Sequence, residues 1–150
     1  MGFLAKKPAV GAKGGSAAQP GPGRQTSRDR GQQAEELALA HLVAAGLRLV
    51  ERNYRTPGRG GGEIDLILRD RDGCLIFVEV RSRSGRDYGG AGASIGALKR
   101  QRIVFAARHF LLRYGAPPPC RFDVVLVEPA AVLGQSPGLQ WLPAAFDAPG

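Results

Sequence analysis

Two short apolar segments of the chain each contain acidic residues. Asp65 lies in Gly62-Glu63-Ile64-Asp65-Leu66, and Glu79 lies in Phe77-Val78-Glu79-Val80-Arg81. Both segments have the composition of strands, so these carboxylates are expected beside a hydrophobic core. A buried carboxylate without a partner is costly, and it is stabilised either by neighbouring bases or by a divalent cation. The two acids are therefore the first candidates for a metal site.

A tight turn between the two segments predicts how they pair. Arg71-Asp72-Gly73 suits a three-residue hairpin loop, because glycine accommodates the left-handed conformation that closes such a loop. Residue 70 then pairs with residue 74, and this register brings Asp65 opposite Glu79. It also predicts one aliphatic face, formed by Ile64, Leu66, Leu68, Ile76, Val78 and Val80.

The predicted pairing of the two acids favours magnesium chemistry. Directly opposed strand residues have Cβ atoms about 4.5–5.5 Å apart, so two ionised carboxylates there repel unless a cation lies between them. Mg²⁺ binds to one or two carboxylates and completes its coordination with water and phosphate oxygens. Such a metal activates water and stabilises charge on a phosphoryl group. Arg81, two residues after Glu79 on the same face, is expected to hold the phosphate that is cleaved.

A predicted helix supplies a third acid. Residues 32–45 have an apolar face centred on Ala38, and Gly46 ends the pattern. On a helical wheel Glu35 lies about 60° from Ala38, whereas Glu36 lies about 160° away and faces solvent. Only Glu35 is placed to reach a site beside the core, with an ordinary salt bridge as the alternative.

The charge of the chain favours an anionic partner. The 150 residues carry a net charge of +8 with a pI of about 10.3, and 43% are hydrophobic. Between Arg81 and Arg108 there are seven basic residues and one acid, Asp87. This basic segment directly follows the second acid, and it is expected to track a nucleic-acid backbone through Arg83, Lys99 and Arg102. A solvated arginine-rich surface is the alternative.

The order of the predicted elements favours an α/β sandwich around a mixed sheet. The remaining predicted elements are strands at 47–50, 63–69, 74–81, 121–127 and 139–142, a glycine loop at 57–62 and a helix at 94–114. Residues 1–30 are expected to form a disordered basic tail, residues 31–146 the domain, and residues 147–150 a short tail. No apolar run is long enough for a membrane span, and no secretory signal is recognised. With Cys74 and Cys120 expected as reduced thiols, a cytoplasmic protein is predicted.

Several of these segments, in this order, resemble one known family. From Gly31 to about Phe146 the chain is similar to the YraN family of bacterial proteins. That family resembles archaeal Holliday junction resolvases and is placed in the PD-(D/E)XK nuclease superfamily. The similarity is carried by Ala34-Glu35, Gly62-Glu63-Ile64-Asp65-Leu66-Ile67, Phe77-Val78-Glu79-Val80-Arg81-Ser82-Arg83, Lys99, Arg121-Phe122-Asp123-Val124-Val125 and Ala145-Phe146.

The resemblance implies a restriction-endonuclease-like αβα sandwich and assigns roles to residues. Asp65 and Glu79 would be metal ligands, with the Val80 carbonyl as a third. Glu35 would match an acid on the first helix of the resolvase-like branch. Lys99 and Arg121 match basic positions and are expected phosphate contacts, with structural salt bridges as the alternative. The family has Lys where this chain has Arg81. The arginine preserves the positive charge, but it cannot exchange protons near neutral pH as a lysine can.

Three functional hypotheses follow from the sequence. The first is a Mg²⁺- or Mn²⁺-dependent endonuclease acting on DNA, in particular branched DNA, as a homodimer whose two-fold symmetry matches paired scissile strands. The second is a nucleic-acid-binding module of the same fold with weak or no turnover, as Arg81 suggests. The third is a metal-free protein in which Arg81 and Arg121 pair with Asp65 and Glu79.

Overall fold

The computed structural model describes residues 26–82, 95–128, 130 and 134–148 of the chain. The expected tail residues 1–25 and 149–150 lie outside the described residues. The elements, in chain order, are α1 (Ser27–Ala44), β1 (Arg48–Arg55), β2 (Glu63–Arg69), β3 (Leu75–Ser82), α2 (Ala97–Leu111), β4 (Cys120–Glu128) and β5 (Gly138–Phe146).

The five strands form one mixed sheet in the order β1-β2-β3-β4-β5. Neighbouring strands are antiparallel except β3 and β4, which are parallel and have α2 between them in sequence. A parallel pair requires such a crossover, because its strands cannot be joined by a short turn. The predicted α/β fold, an αβα sandwich around a mixed sheet, is confirmed.

Each face of the sheet is covered by one helix. Against α1 the core contains aliphatic side chains, namely Ala34, Ala38, Leu42, Leu66, Leu68, Ile76, Val78, Val125 and Val127. Against α2 the core also contains aromatic rings, with Phe77, Phe110, Phe122 and Phe146 packed edge-on or stacked. Strand β3 is buried on both faces because it is the central strand, which explains its nearly continuous apolar sequence.

Helix α1 begins earlier than the predicted start of order at Gly31. It starts at Ser27, where the Thr26 side chain accepts a hydrogen bond from the Asp29 amide and the Asp29 carboxylate accepts one from the Thr26 amide. This reciprocal cap satisfies donors that the first helical turn leaves without partners. The assignment of residues 26–30 to a disordered tail was therefore wrong, because the polar composition of this segment concealed a helix start.

The two edge strands are longer than predicted. Strand β1 extends to Arg55 instead of ending at Val50, and β5 runs from Gly138 to Phe146. Each contains a residue other than glycine with a positive φ, Asn53 at 52° and Ala144 at 50°. Edge strands face water along one side and tolerate polar residues and irregular backbone, so they lack the apolar alternation used to find strands.

The predicted hairpin register is confirmed over the paired residues. Leu66 pairs with Val78 and Arg69 with Leu75, and the Asp70 amide donates to the Cys74 carbonyl at 3.0 Å. Gly73 has a φ of 89°, as the turn requires. The predicted aliphatic face is wrong at Ile64, which packs in the α2 core while Leu66 and Leu68 pack against α1. The regular pairing of β2 with β3 covers Leu66 to Arg69. The alternation of β2 side chains between the two faces of the sheet changes between Ile64 and Leu66.

Neither helix of the described part has the length and apolar composition that crossing a membrane would require.

The glycine loop brings α2 close to the start of β2. A Cβ atom on Gly62 would lie 1.8 Å from the carbonyl oxygen of Arg102 in α2. The Thr56 hydroxyl accepts a hydrogen bond from the Gly62 amide at 2.8 Å, which closes the loop. Gly62 is therefore required by a backbone contact between helix and strand.

We expect Gly62→Ala to lower the free energy of unfolding by about 1–3 kcal/mol, because an added methyl group must move helix backbone away from the strand. The measurement is chemical denaturation of the variant and the natural protein. Gly115→Ala is the matched control, since a Cβ atom there meets no atom within 4 Å. Equal midpoints for both variants would contradict the close contact.

Candidate active site

The carboxylates of Asp65 and Glu79 lie together where the pairing of β2 with β3 ends. Asp65 Oδ2 accepts a hydrogen bond from the Val80 amide at 2.8 Å, which fixes that side chain against β3. Glu79 is 7% exposed, and its Oε1 atom lies 3.4 Å from Lys99 Nζ. Its buried Oε2 atom accepts no hydrogen bond from a base or an amide, and the Asp65 carboxyl lies within hydrogen-bonding reach of Glu79. Two carboxyls in such contact are held together either by a shared proton or by a cation.

Burial and mutual repulsion shift the titration of this pair. Burial raises the pKa of Glu79 to about 8, the Asp65 carboxylate adds to the rise, and Lys99 opposes it. The pKa of Asp65 is also raised, mainly by burial, although the Val80 amide favours its charged form. Without a metal ion beside them, the two carboxyls therefore retain a proton at neutral pH. A divalent cation would compete with that proton.

Glu35 approaches the pair from α1. Its side chain is half-buried, and its pKa is raised by burial and then by the negative charge of Asp65. Glu36 is exposed and forms an ion pair with Arg52 at 2.7 Å. The helix thus directs Glu35, and not Glu36, toward Asp65, as its position on the helical wheel indicates.

Two adjoining clefts lie beside the acid pair: Asp65 lines the first, and Glu79 lines neither but contacts Lys99, which lines the second. One, of about 350 Å³, lies between α1 and the start of β2 and is lined by Arg28, Gly31, Gln32, Glu35, Arg52, Asn53, Arg55, Glu63 and Asp65. The other, of about 420 Å³, lies between the glycine loop and α2 and includes Lys99 and Arg102. Both share Arg55 and Glu63, which pair at 3.1 Å. Acids and bases therefore occupy the same continuous surface. Such a surface suits a ligand with several negative charges, one of which contacts a cation held by the acids.

Other residues named from the sequence differ in their placement. Arg81 follows Glu79 by two residues on β3, so strand alternation directs it to the same face. Arg102 lines the second cleft. Arg83 lies outside the described residues. The assignment of a carbonyl ligand to Val80 stays a prediction, although its amide already positions Asp65.

Arg121 lies apart from the acid pair. It pairs with Asp123 at 3.0 Å and Asp70 at 3.6 Å, at the turn end of the sheet. Arg121 is in register with Ile76, three residues from Glu79 along β3, a separation of about 10 Å. The structural salt bridge that was the alternative for Arg121 is therefore present, but with Asp123 and Asp70, so the expected ion pair with Asp65 or Glu79 is wrong. The expected phosphate contact stays a prediction. Basic residues at the start of a strand and at its end cannot be distinguished by composition alone.

Asn53 is a residue of the site that the sequence reasoning missed. It stands between Arg52 and Tyr54, which pair with Leu66 and Ile64, so it lies level with Asp65 across the sheet. Asn53 has a φ of 52° and lines the first cleft. Its side chain hydrogen-bonds with Glu35, and this hydrogen bond opposes the rise in the pKa of Glu35 that burial causes. Asparagine tolerates this conformation better than most residues, which is the signal the sequence offered.

The donor set fits a hard, oxygen-binding cation. Within the described ranges, no group of three or more His, Cys, Asp or Glu side chains is placed to hold a metal ion. Asp65 and Glu79 offer two carboxylates, one with a buried oxygen that accepts no hydrogen bond from a base or an amide. Mg²⁺ suits such a site because it binds to few protein ligands and retains several waters, whereas structural zinc needs four.

Comparison with known proteins identifies close relatives. A profile of the uncharacterised protein family UPF0102 matches residues 34–127. A UPF0102 protein of Paracidovorax citrulli is 66% identical over 148 residues, which cover 99% of each chain. One from an Acidovorax species is 64% identical over 148 residues, again 99% of each chain. One from Polaromonas naphthalenivorans is 61% identical over 137 residues, 90% of this chain and 88% of the relative.

We expect the metal-free protein to lose stability as the pH rises from about 5 to about 8. The folded state keeps a proton on Glu79 up to about pH 8, while the unfolded chain releases it near the ordinary glutamate pKa of 4.5. Folding therefore takes up a proton in this window, and stability falls by at most about 1.4 kcal/mol per pH unit for each proton. The measurement is urea denaturation in EDTA at several pH values.

Glu79→Gln should reduce this pH dependence, because the amide carries no charge at any of these pH values, while the raised pKa values of Asp65 and Glu35 leave a smaller slope. Glu51→Gln is the control, since Glu51 is a partly exposed acid that pairs with Arg113 at 3.6 Å. A slope in Glu79→Gln as steep as that of the natural protein would show that Glu79 does not cause the loss of stability.

Proposed function

This chain belongs to the uncharacterised protein family UPF0102, and on that premise we propose that it is a Mg²⁺- or Mn²⁺-dependent endonuclease acting on DNA. The proposal includes the PD-(D/E)XK superfamily suggested by the resemblance of its motifs. The observation that carries it is the pair of buried carboxyls, Asp65 and Glu79, with Lys99 as the base beside Glu79 and with basic side chains in the neighbouring clefts. Bringing two buried acids into contact is costly for stability alone, and a cation between them would offset that cost.

The proposed mechanism assigns a role to each acid. Asp65 and Glu79 would hold the cation, which when bound would acidify a water and neutralise charge on the phosphodiester. The Val80 amide keeps Asp65 in the required orientation. Glu35, with a raised pKa, lies where it can accept a proton from water near Asp65.

Basic residues on both sides of the acids would position the nucleic acid. Lys99 offsets the negative charge of Glu79, and Arg81 would contact the phosphate beside the same face. Arg52, Arg55 and Arg102 line the two clefts, so the phosphate backbone would run from α1 past the glycine loop to α2. With several phosphates neutralised, binding should weaken steeply with salt.

The finer parts of the proposal rest on the resemblance to junction resolvases. We propose branched DNA as the preferred substrate and a homodimer as the active form, since two-fold symmetry places two sites on paired strands. A cytoplasmic location is consistent with Cys74 and Cys120 being free thiols.

Arg81 favours a second candidate function. A lysine at this position could exchange a proton with the attacking water, whereas an arginine stays charged. The second candidate is therefore a DNA-binding module that retains the site without appreciable turnover.

We expect the purified protein to nick a labelled four-way junction in Mg²⁺ or Mn²⁺ but not in EDTA. Asp65→Asn and Glu79→Gln should each lower the nicking rate by at least about 100-fold, because each removes a negative charge that holds the cation. Both variants should bind the junction as tightly as the natural protein does, when binding is measured by gel shift without Ca²⁺. Glu36→Gln is the control, since Glu36 faces solvent and pairs with Arg52.

Arg81→Lys distinguishes the two candidates in the same assay. If the natural chain binds the junction in a metal-dependent way without nicking it, and the Arg81→Lys variant does nick it, the natural chain would be a DNA-binding module. Nicking that is unchanged in both acid variants would contradict the proposed site.

A further inference from the structure

Helix α2 has a second apolar row, on the side away from the sheet. Leu98 is 63% exposed, Phe105 is 54% exposed and Leu112, the residue that caps the helix, is 79% exposed. We call these three residues the outer row. The opposite side of α2 is buried in the core through Ile103, Val104, Ala106, Ala107 and Phe110. Packing within the described structure therefore leaves the outer row in water.

The spacing of the outer row is regular. Its residues are seven positions apart, so each lies about 10.5 Å along the helix from the next. Seven residues fall about 20° short of two full turns, which keeps all three side chains within one narrow strip. This is the spacing of one of the two apolar positions in a helix-pairing heptad, whereas the other position of that heptad is polar in α2. Scattered single apolar residues on a surface need no explanation, but an aligned row does.

The charges beside the outer row have one sign. No Asp or Glu occurs between Ile95 and Phe122, while α2 contains Lys99, Arg100, Arg102 and Arg108. Arg108 follows Phe105 by three positions and Arg102 precedes it by three, so they lie on either side of the row. A molecule that covers the row would thus meet basic side chains on both of its sides, of which Arg108 also has a contact within the chain.

These charges argue against a second copy of the chain as the occupant. An antiparallel α2 pair would bring two basic helices together without an acid between them. Elsewhere in the described structure, Glu36, Glu51, Glu63 and Asp70 are already in ion pairs with arginines. The chain has 13 acidic against 21 basic residues, so a copy offers no acidic excess to meet α2.

The apolar row argues against a phosphate backbone as the occupant. Phosphates would satisfy the basic edges but would leave Leu98 and Leu112 in water, and only Phe105 could stack on a base. An amphipathic helix covers both features, because apolar side chains at heptad spacing bury the row and acidic flanks meet the edges. Both charge and shape therefore favour a protein helix.

We propose that the outer row of α2 docks an acidic amphipathic helix of a partner protein. The partner presents one apolar side chain every seven residues and Glu or Asp on either side of that line. Lys99 and Arg102 belong both to α2 and to the cleft beside the acids, so the partner would lie next to the proposed DNA path. The docking surface itself does not depend on nuclease activity.

The test uses a synthetic helix of about three heptads with Leu along one line and Glu on both flanks. Fluorescence anisotropy with the full chain should show saturable binding, and a peptide with Lys in place of Glu should not bind. Phe105→Ser should weaken binding at least tenfold without changing the unfolding midpoint, because Phe105 is exposed. Val43→Ser is the control, since Val43 is 48% exposed on α1, away from the row.

Three results would overturn the proposal. One is the absence of saturable binding by the acidic peptide, or binding that Phe105→Ser leaves unchanged. Another is a dimer in sedimentation that Phe105→Ser converts to a monomer, which would make the row an interface between copies. The third is loss of junction-DNA binding in Phe105→Ser. Junction nicking by this variant should equal that of the natural chain, so failure of the proposed nuclease would leave the docking result intact.

Discussion

The repulsion between two buried carboxylates is the constraint on which the arrangement of this protein depends. Asp65 and Glu79 come from neighbouring strands, and neither could be held beside the other without compensation. The fold supplies part of that compensation through the Val80 amide and Lys99. It supplies no base or amide for Glu79 Oε2. The remaining electrostatic cost is the basis on which we propose a cation there.

Elements on both faces of the sheet converge on this pair. Helix α1 brings Glu35 to Asp65 from one side, and α2 brings Lys99 to Glu79 from the other. The approach of α2 depends on Gly62, because any side chain there would collide with the Arg102 carbonyl. A single glycine contact therefore couples the packing of α2 to the position of its basic residues. The irregular backbone at Asn53 adds a group to the same cleft, and irregular backbone is common at functional sites.

Much of this site could be predicted because its geometry is local. The Asp72-Gly73 turn fixed the hairpin register, and the helical wheel separated Glu35 from Glu36, since both depend on backbone periods that sequence reveals. Prediction failed where position depended on distant parts of the chain. Arg121 carries the charge of a phosphate contact but lies at the other end of the sheet, on Asp70 and Asp123. Ile64 packs on the face opposite to the predicted one, because the regular pairing of β2 with β3 begins only at Leu66.

The sequence by itself determined the central strands, the turn and the helix faces, and thus the placement of Asp65 beside Glu79. These features follow from hydrophobic periodicity and turn chemistry, which act over a few residues. Only the tertiary structure decided which bases reach the acids, because a strand's place in the sheet and a helix's distance from it are set by packing of the whole core. It also decided that Glu79 Oε2 is buried without a base or an amide and that α2 keeps an apolar row in water. Both properties depend on what the rest of the fold fails to cover, and no local pattern contains that information.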